Sequence, residues 1–380
     1  MSYQKIVPIA NQILKKYDLC DHCLGRLFSK QLHLSSNRLL GKKLKKKSKS
    51  TQRCYICKNL FDNLDYFLNM MLDAVNLYSY SSFSVGAIIK PSIIDRDDIV
   101  RSKYKLKGID GIKTDLTKEL AKLFSKKTKK TFAYLDPELV FTVNLKNESC
   151  DVRSKSLTLS GRYVKSIRNF SQKQKSCSNC SGKGCRICDF HGITEYDSIE
   201  GEISQFLFKK FGGTTVKFTW IGGEDKSSLI LGMGRPFFAK IQNPHKRNLR
   251  TPSAKLDHIQ LNNVKIVSDS PKKPLKFNSL VEAKISASSK INSKLLPKLK
   301  NLTKKPITVY EKSGKRSEKE ILSIKYKKHD DMSFTLFFKF EGGLPVKRFV
   351  TGDDVSPGIS QILGVSCKCV EFDFHDVEVK

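Results

Sequence analysis

The fold is decided by residues 221–238, which read IGGEDKSSLILGMGRPFF. A glycine pair ends a β-like run, and two adjacent carboxylates, Glu224 and Asp225, follow it directly. A second glycine-rich turn then ends at Arg235. Carboxylates at a glycine turn between two strands lie at the mouth of a sheet, where the backbone can approach a substrate closely. The same pair is also explained by a solvated turn that it caps, and the stretch alone favours this second reading.

The charge of the chain narrows the class of partner. Its 380 residues include 70 Lys and Arg against 37 Asp and Glu, a formal net charge of +33 that is spread along the whole length. Such a surface attracts a polyanion, because counterion release from a phosphate backbone drives binding. No stretch approaches the roughly 18 apolar residues of a membrane span, and the N-terminus shows no secretory cleavage site. We therefore expect a cytoplasmic protein that binds nucleic acid and not a membrane.

Most of the 11 cysteines fall in Cys-x-x-Cys pairs, each of which supplies half of a tetrahedral zinc shell. In a cytosolic chain this spacing favours metal over disulfides. The tandem unit Cys-x-x-Cys-x-x-x-Gly at residues 177–192 is the more specific signal, whereas the first two pairs could also be four reduced buried thiols. We expect the adjoining His191 to be a surface residue and Cys150, Cys367 and Cys369 to be structural. Two structural zinc sites are predicted, with the ligands Cys20, Cys23, Cys54, Cys57, Cys177, Cys180, Cys185 and Cys188.

Hydrophobic periodicity predicts an α/β unit before the zinc hairpin and a strand-rich unit after it. Helical spacing covers residues 61–77 and 114–125, and β-like runs cover residues 83–89 and 139–145. After residue 198, frequent strands and few helices predict a mixed, largely antiparallel sheet. These later runs lie at residues 237–241, 259–267, 277–285, 307–310, 321–326, 334–340 and 370–374, with a hairpin turn at Ser313-Gly314.

The GGED turn, a six-residue spacer and then GMGRPFF resemble the signature of the archaeal and eukaryotic tRNA pseudouridine synthase family that acts on uridines 54 and 55. That family has a GRED turn followed by LG-x-GRPF. The resemblance implies that Asp225 is the catalytic residue, as nucleophile or as base. It also implies a THUMP-like RNA-binding module in the N-terminal half. Isomerisation of uridine needs no organic cofactor, and neither a P-loop nor a G-x-G-x-x-G motif after a strand is found.

Other segments of the resemblance imply substrate contacts. PLKFNSLVEA places Phe277 where the family has a tyrosine that stacks on the base, although a core phenylalanine is an equal alternative. GGLPVKRFV places Lys347 on the family's lysine, where it would pair with Asp225 and lower its pKa. An ordinary surface lysine is the alternative there. Leu363 matches an apolar residue that packs beside the base.

A basic and aromatic segment, residues 160–176, resembles the family's GRY-x-K…R…Q sequence. We expect Arg162, Lys165 and Arg168 to contact RNA phosphates, and a solvated linker is the equal alternative. Arg235 of the signature is also expected to bind substrate. The basic run at residues 41–50 is predicted to be a solvated loop or a further phosphate contact.

Four departures from the family pattern concern the site. Gly223 stands where the family has arginine, Phe277 and Pro345 replace tyrosines, and the GRT triplet after Asp353 is missing. The replacements at Gly223, Phe277 and Pro345 favour the main alternative, a non-catalytic zinc-containing RNA-binding protein or tRNA chaperone that retains the fold. A different THUMP-bearing enzyme is a third option, but it would need a cofactor-binding glycine loop.

The predicted fold class is α+β. A THUMP-like, zinc-containing tRNA-binding domain would span residues 1–165, and a linker with the zinc hairpin residues 166–195. A pseudouridine synthase domain, with a mixed, mainly antiparallel sheet and flanking helices, would span residues 196–380. The predicted function is that of an archaeal tRNA pseudouridine synthase acting on uridine 54, 55 or both in the TΨC arm. We expect tRNA as the partner, no protein partner, and a monomer.

Overall fold

The computed structural model describes residues 3–32, 34, 36–45, 53–311 and 314–380. It divides into two compact units, Met1–Lys155 and Ser156–Lys380. Residues 46–50 of the predicted basic loop and Ser313 of the predicted hairpin turn lie outside the described part. None of the described helices is both long enough and apolar enough to cross a bilayer.

The first unit begins with helices around the first cysteine pairs. The first helix is amphipathic and buries Ile6, Ala10 and Ile13. A second helix starts directly after Cys20, whose Sγ accepts a hydrogen bond from the backbone N–H of Cys23. The helices of this part are α1 (Tyr3–Lys16), α2 (Asp21–Ser29) and α3 (Asn37–Leu44).

The rest of the first unit is a helix-and-sheet module. Strand β1 pairs in parallel with β2 and β3, and β3 pairs antiparallel with β4. Helices α4 and α6 pack against each other and against the sheet. A cluster of Phe83, Phe124 and Phe141 fills the space between them, with ring centroids 4.8 to 6.0 Å apart. The elements are α4 (Leu64–Ala74), β1 (Ser82–Ile88), α5 (Pro91–Lys103), α6 (Ile112–Thr128), β2 (Thr131–Phe132), β3 (Leu139–Asn144) and β4 (Ser149–Ser154).

The hydrophobic periodicity of the sequence does not predict helix α5. Pro91 occupies the first turn, where a proline is compatible with a helix. Only Ile93, Asp97 and Val100 are buried, so the helix has a narrow apolar side and no clear 3.6-residue pattern. One of its buried positions is filled by Asp97, which is paired with Arg26 of α2. Because Asp97 interrupts the apolar positions, the hydrophobic pattern of the sequence does not indicate a helix.

The second unit is built on a nine-stranded sheet and a small three-stranded sheet. The strands of the large sheet are β5 (Leu157–Lys165), β6 (Val216–Trp220), β7 (Ile230–Ile241), β8 (Ala254–Lys255), β9 (Ile259–Val267), β10 (Phe277–Ala287), β13 (Ile321–Lys328), β14 (Ser333–Glu341) and β16 (Cys367–Val379). Their order is β13-β14-β10-β16-β7-β5-β9-β8, with β6 also paired to β7. The pairing of β16 with β7 is parallel, and the other pairings are antiparallel. This sheet confirms the predicted α+β class with a mixed, mainly antiparallel sheet.

Three helices and the small sheet complete this unit. The remaining elements are α7 (Ile199–Phe211), β11 (Ile307–Tyr310), β12 (Arg316–Lys319), α8 (Val346–Thr351), β15 (Val355–Ser356) and α9 (Ile359–Leu363). Pro345 is the residue that precedes α8, and its φ of −78° is ordinary for proline. The replacement of the family's tyrosine at this position is therefore compatible with the helix that follows.

Strand β5 corrects the predicted boundary at residue 165. It pairs with β7 on one side and β9 on the other, so it lies inside the large sheet and belongs to the second unit. The segment looked like a solvated linker because it carries Arg162 and Lys165. Both charges are satisfied by groups far along the chain, which local sequence patterns do not reveal.

The glycine-rich turn predicted before Arg235 lies within β7 as an irregularity. The pairing register shifts there, since Tyr163 faces Arg235 whereas Lys165 faces Ile230. Gly234 has φ +78°, and a β-carbon on it would come within 2.5 Å of the Tyr163 carbonyl oxygen. Glycine is therefore required at this position both for its backbone conformation and for the close approach of β5.

Candidate active site

The turn between β6 and β7 carries the two adjacent carboxylates in opposite environments. The side chain of Glu224 has no exposed surface, whereas the side chain of Asp225 is 29% exposed. One carboxylate therefore points into the protein, and the other remains accessible to a ligand.

Glu224 is bound by three side chains from β5 and β7. Lys165 Nζ lies 2.8 Å from its Oε1, and the Tyr163 hydroxyl donates to its Oε2 at 2.6 Å. Arg235 Nε is 3.7 Å from the same Oε2. Burial and the neighbouring Glu224 carboxylate raise the pKa of Tyr163 well above its ordinary value, so the phenol stays protonated and acts as donor. Three ionised groups are thus buried together, which requires mutual pairing.

Lys165, Arg235 and a third basic residue, Arg168, also hold the backbone of the turn. Each donates to a carbonyl oxygen that a turn would otherwise expose to water. These contacts are Arg235 Nη1 to Ile221 O at 2.9 Å, Lys165 Nζ to Lys226 O at 3.3 Å, and Arg168 Nη1 to Ser227 O at 2.8 Å. The residues on both sides of Asp225 are therefore fixed by the protein interior.

Asp225 itself is held as an anion. Lys347 Nζ lies 2.6 Å from its Oδ2, and Ser227 donates to Oδ1 through its backbone N–H at 2.9 Å and its hydroxyl at 2.6 Å. Partial burial alone would raise the pKa of Asp225. The Lys347 ammonium and the Ser227 donors outweigh that effect and lower the pKa to about 2.

Phe277 lies next to this turn at the start of β10. A β-carbon on Gly222 would come within 2.5 Å of Phe277 Cζ, and one on Gly342 within 2.3 Å of the same atom. The ring therefore occupies the space between two glycines, and its residue is half-buried. Gly223, by contrast, has no neighbouring atom within 4 Å of such a β-carbon and faces open space.

Five residues that we expected to touch substrate contact the protein instead. Lys165 and Arg235 are fully buried around Glu224, so their predicted contact with RNA is wrong for this conformation. Arg162 donates to backbone carbonyls of the β7 irregularity, and Arg168 forms a bidentate ion pair within the unit. Leu363 is buried in the hydrophobic core. Of the predicted set, Lys347 pairs with Asp225, and Phe277 lies beside Gly222 of the same turn; neither residue is fully buried.

Three residues of the site were missed or misjudged from sequence. Tyr163, an aromatic residue of the basic segment at residues 160–176, is a buried hydrogen-bond donor. Gln172 donates to the Tyr163 hydroxyl at 3.1 Å. The only sequence signal for this residue was its position in the segment that resembles the family's GRY-x-K…R…Q sequence. Asp373 of β16 receives both Arg168 guanidinium nitrogens at 2.7 Å and had no sequence signal at all.

Both cysteine tetrads have the geometry of a metal site. In each tetrad the four Sγ atoms lie within 4.8 Å of one another. Cys20 and Cys57 Sγ are 3.6 Å apart, and Cys180 and Cys188 Sγ are 3.8 Å apart. A tetrahedron with metal–sulfur bonds of about 2.3 Å has edges of about 3.8 Å. The residues therefore fit a four-coordinate ion that prefers thiolates, and either tetrad could hold one.

His191 and the other cysteines stand apart from the tetrads. The His191 ring stacks on Phe208 of α7, with centroids 3.7 Å apart, and its Nδ1 lies 3.3 Å from the Tyr196 hydroxyl. It is thus half-buried against α7 and not a fully exposed side chain. Cys150, Cys367 and Cys369 lie in strands β4 and β16.

Comparison with known proteins assigns the chain to a family. A family model described as "Pus10, C-terminal" matches residues 158–378, and one described as "Pus10 THUMP domain, archaeal" matches residues 67–144. The first match alone covers more than half of the chain. This chain belongs to the Pus10 family. The THUMP match lies within the first unit and confirms the predicted module.

Relatives in this family are similar over nearly their whole length. The protein named tRNA pseudouridine synthase Pus10 in Nitrosopumilus maritimus (strain SCM1) is 84% identical over 379 residues, which is 100% of both chains. The protein of the same name in Cenarchaeum symbiosum (strain A) is 35% identical over 368 residues, 96% of this chain and 90% of its own. The chain is thus a member of a family of tRNA pseudouridine synthases, which are isomerases, and the predicted enzyme class is confirmed.

Solved structures are only distantly similar. One titled "Crystal Structure of a Cbf5-Nop10-Gar1 Complex" aligns with a TM-score of 0.30 and 10% identity, over 46% of this chain and 44% of that chain. A TM-score this low supports no inference about this chain.

We predict that Glu224→Gln lowers the free energy of unfolding by about 3–5 kcal/mol, because Lys165 and Arg235 would remain buried without their counter-charge. Urea unfolding of the full chain, followed by tryptophan fluorescence, measures this change. Glu318→Gln is the matched control, since it removes an exposed ion pair with Arg316 and should change the midpoint little. Equal midpoints for the two variants would show that the buried pair does not stabilise the unit.

Proposed function

We propose that this protein converts uridine 54, uridine 55 or both into pseudouridine in the TΨC arm of tRNA, with Asp225 as the catalytic carboxylate. The observation that carries the proposal is the state of Asp225. It is an ionised, partly exposed carboxylate that is paired with Lys347 on a turn fixed by buried contacts.

The reaction is an isomerisation in which atoms and electrons balance without a co-reactant. The bond between C1′ and N1 breaks, the uracil rotates, and a bond between C1′ and C5 forms. The proton on C5 is released, and N1 gains one. An extruded uridine is required, because the ring must turn over outside its stack. A fixed carboxylate beside C1′ or C6 is the group that this sequence of steps needs from the protein.

The low pKa of Asp225 favours a nucleophilic role over a role as general base. A carboxylate with a pKa of about 2 is fully ionised near neutral pH. It is also a weak proton acceptor, since general bases work best when their pKa lies near the operating pH. Nucleophilic attack requires only the ionised form, which Lys347 and Ser227 maintain.

Phe277 is proposed to supply the aromatic face for the extruded uracil. Its ring lies beside Gly222, three residues before Asp225 in sequence, and its position between two glycines leaves it little freedom to rotate. A phenylalanine stacks on a base as a tyrosine does, but it offers no hydroxyl for proton transfer. Proton release from C5 would then pass to water.

The tRNA would be held largely by charge. The net charge of +33 supports binding to the phosphate backbone, and the THUMP module is proposed to bind the acceptor end. We also propose a cytoplasmic location, where reduced thiols persist.

The non-catalytic alternative loses its main support. It was favoured by the departures at Gly223, Phe277 and Pro345. Pro345 precedes the helix that carries Lys347, Phe277 retains an aromatic ring beside the turn, and Gly223 faces open space. None of these replacements removes the pair formed by Asp225 and Lys347.

Zinc is the ion that we propose for both cysteine tetrads. Four thiolates at tetrahedral separation suit Zn²⁺ in a structural role. The first tetrad would join the segment before α2 to the segment after α3, and the second would close the hairpin at residues 177–192. Neither is proposed to take part in the isomerisation.

We predict that Asp225→Asn reduces isomerisation by at least about 10³-fold and changes the tRNA dissociation constant less than about threefold, since it removes the reacting charge and keeps the shape. Primer extension on carbodiimide-treated, in vitro transcribed tRNA measures the product, and filter binding measures affinity. Asp354→Asn is the matched control, because Asp354 is an exposed partner of Arg348 near the same helix. Pseudouridine formation at the wild-type rate by Asp225→Asn would refute the assignment.

We predict that Lys347→Met moves the acid limb of kcat/KM to higher pH by about one to two units, because the lost ammonium no longer lowers the pKa of Asp225 while partial burial still raises it. The active form is the ionised carboxylate, so the variant loses activity as the pH falls, at a pH where the wild type is still fully active. Single-turnover rates between pH 3 and 7 measure the shift. Lys347→Arg keeps the charge and should keep the wild-type profile. Identical profiles for Lys347→Met and the wild type would contradict the proposed pairing.

We predict about two zinc ions per chain in protein purified without chelator, measured by atomic absorption. Cys54→Ser and Cys177→Ser should each lower the content by about one ion. Cys150→Ser should leave it unchanged, because Cys150 lies outside both tetrads. A folded, metal-free wild type would count against both sites.

A further inference from the structure

The second cysteine hairpin contains an internal repeat in which one position breaks the pattern. Residues 177–184 and 185–192 both read Cys-x-x-Cys-x-x-x-Gly. Two residues after the second cysteine, the first unit has Gly182 with φ +83°, and the second has Phe190 with φ +61°. Both units therefore need a left-handed backbone at this point. Glycine adopts it without strain, whereas a bulky residue is an outlier there.

Hydrogen bonds of the hairpin hold Phe190 in this conformation. Its backbone N–H donates to the Cys185 carbonyl at 2.8 Å, and the next N–H, of His191, donates to the Cys188 carbonyl at 2.7 Å. Packing within the protein does not compensate for this strain, because the Phe190 side chain is 52% exposed and the nearby Ile187 is 71% exposed. Strained residues of this kind are often found at functional sites, which suggests a contact outside the chain.

The same hairpin carries two cations, Lys183 and Arg186, and one acid, Asp189, which precedes Phe190. Lys183 and Arg186 are exposed, and neither has an acidic partner within the described residues. Gly184 packs directly against Phe190, since a β-carbon on it would come within 2.7 Å of the Phe190 carbonyl oxygen. Lys183, the neighbour of Gly184, therefore lies on the same part of the hairpin. We call Lys183, Arg186, Ile187 and Phe190 the hairpin tip.

We propose that the hairpin tip binds an unpaired nucleotide of the RNA substrate, with the base stacked on Phe190 and Ile187 and the adjacent phosphates held by Arg186 and Lys183. The inference rests on the proposed function. An exposed aromatic ring next to unpaired cations is the arrangement that single-stranded RNA recognition uses. The cations favour a polyanion over an apolar protein partner.

The tip is attached to the body that carries Asp225. His191 stacks on Phe208 of α7, with an interplanar angle of 7°. On the other side, Gln172 touches the buried Tyr163 hydroxyl and is five residues from Cys177, a reach of at most about 18 Å. Stacking at the tip would therefore help to orient the RNA relative to the candidate active site.

Phe190→Gly is the central test, because glycine is the residue that the first repeat uses at this position. Filter binding of an unmodified in vitro transcribed tRNA to the full chain, between 50 and 300 mM KCl, should show an affinity loss of about 5- to 100-fold that is similar at every salt concentration. Phe190→Tyr keeps the aromatic ring and should bind the tRNA with the affinity of the wild type. Arg186→Gln should instead reduce the slope of log K against log salt by about 0.7, the value for one phosphate of a single strand.

Controls separate the contact from folding. Met332→Gly removes an exposed apolar side chain from the turn between β13 and β14 and should leave affinity unchanged. The zinc content of Phe190→Gly should equal that of the wild type. Its unfolding midpoint should equal or exceed that of the wild type, since glycine relieves the backbone strain.

Wild-type affinity of Phe190→Gly at every salt concentration would overturn the proposal. Loss of affinity in Phe190→Tyr as large as in Phe190→Gly would also overturn it. Failure of the proposed function gives a different result: the wild type would form no pseudouridine, while the affinity loss of Phe190→Gly would remain. The two ideas can therefore fail separately.

Discussion

The buried carboxylate of Glu224 is the group on which the candidate site depends. Lys165 and Arg235 are fully buried, and leaving either cation without a counter-charge would cost several kcal/mol. Glu224 lies between them and also accepts the Tyr163 hydroxyl, so it compensates part of the desolvation cost. Because Glu224 and Asp225 are adjacent, the pairing of the first also fixes the position of the second.

The geometry of a tight turn explains the different roles of the two carboxylates. Consecutive side chains in such a turn diverge, and here one enters the sheet while the other stays at its edge. The inward carboxylate, Glu224, pairs with the buried cations Lys165 and Arg235 and stabilises the fold. The outward carboxylate is kept ionised by Lys347 and Ser227, and its pKa is about 2. Fixed surroundings of this kind favour catalysis, since little reorganisation is needed when a substrate arrives.

The segment between β5 and the cysteine hairpin supports the same turn. Arg168 connects the Ser227 carbonyl to Asp373 of β16, and Gln172 reaches the Tyr163 hydroxyl. Two residues further, Gln174 accepts from the Ser198 hydroxyl at the start of α7. A stretch that resembles a solvated linker in sequence is therefore a set of side chains that joins the turn, the sheet and the start of α7.

By itself the sequence determined the class of fold and the two cysteine tetrads, because these depend on local spacing: Cys-x-x-Cys pairs and alternating apolar residues. Through resemblance it determined the family and indicated the role proposed for Asp225. It also indicated the pairing of Asp225 with Lys347, through resemblance. Only the tertiary structure decided that Lys165, Arg235 and Tyr163 are buried structural groups, that Asp373 takes part, and that α5 is a helix. The reason is physical: a basic residue on a strand has the same local pattern whether it binds phosphate or a buried acid. The choice is made by partners far along the chain, which only folding brings into contact.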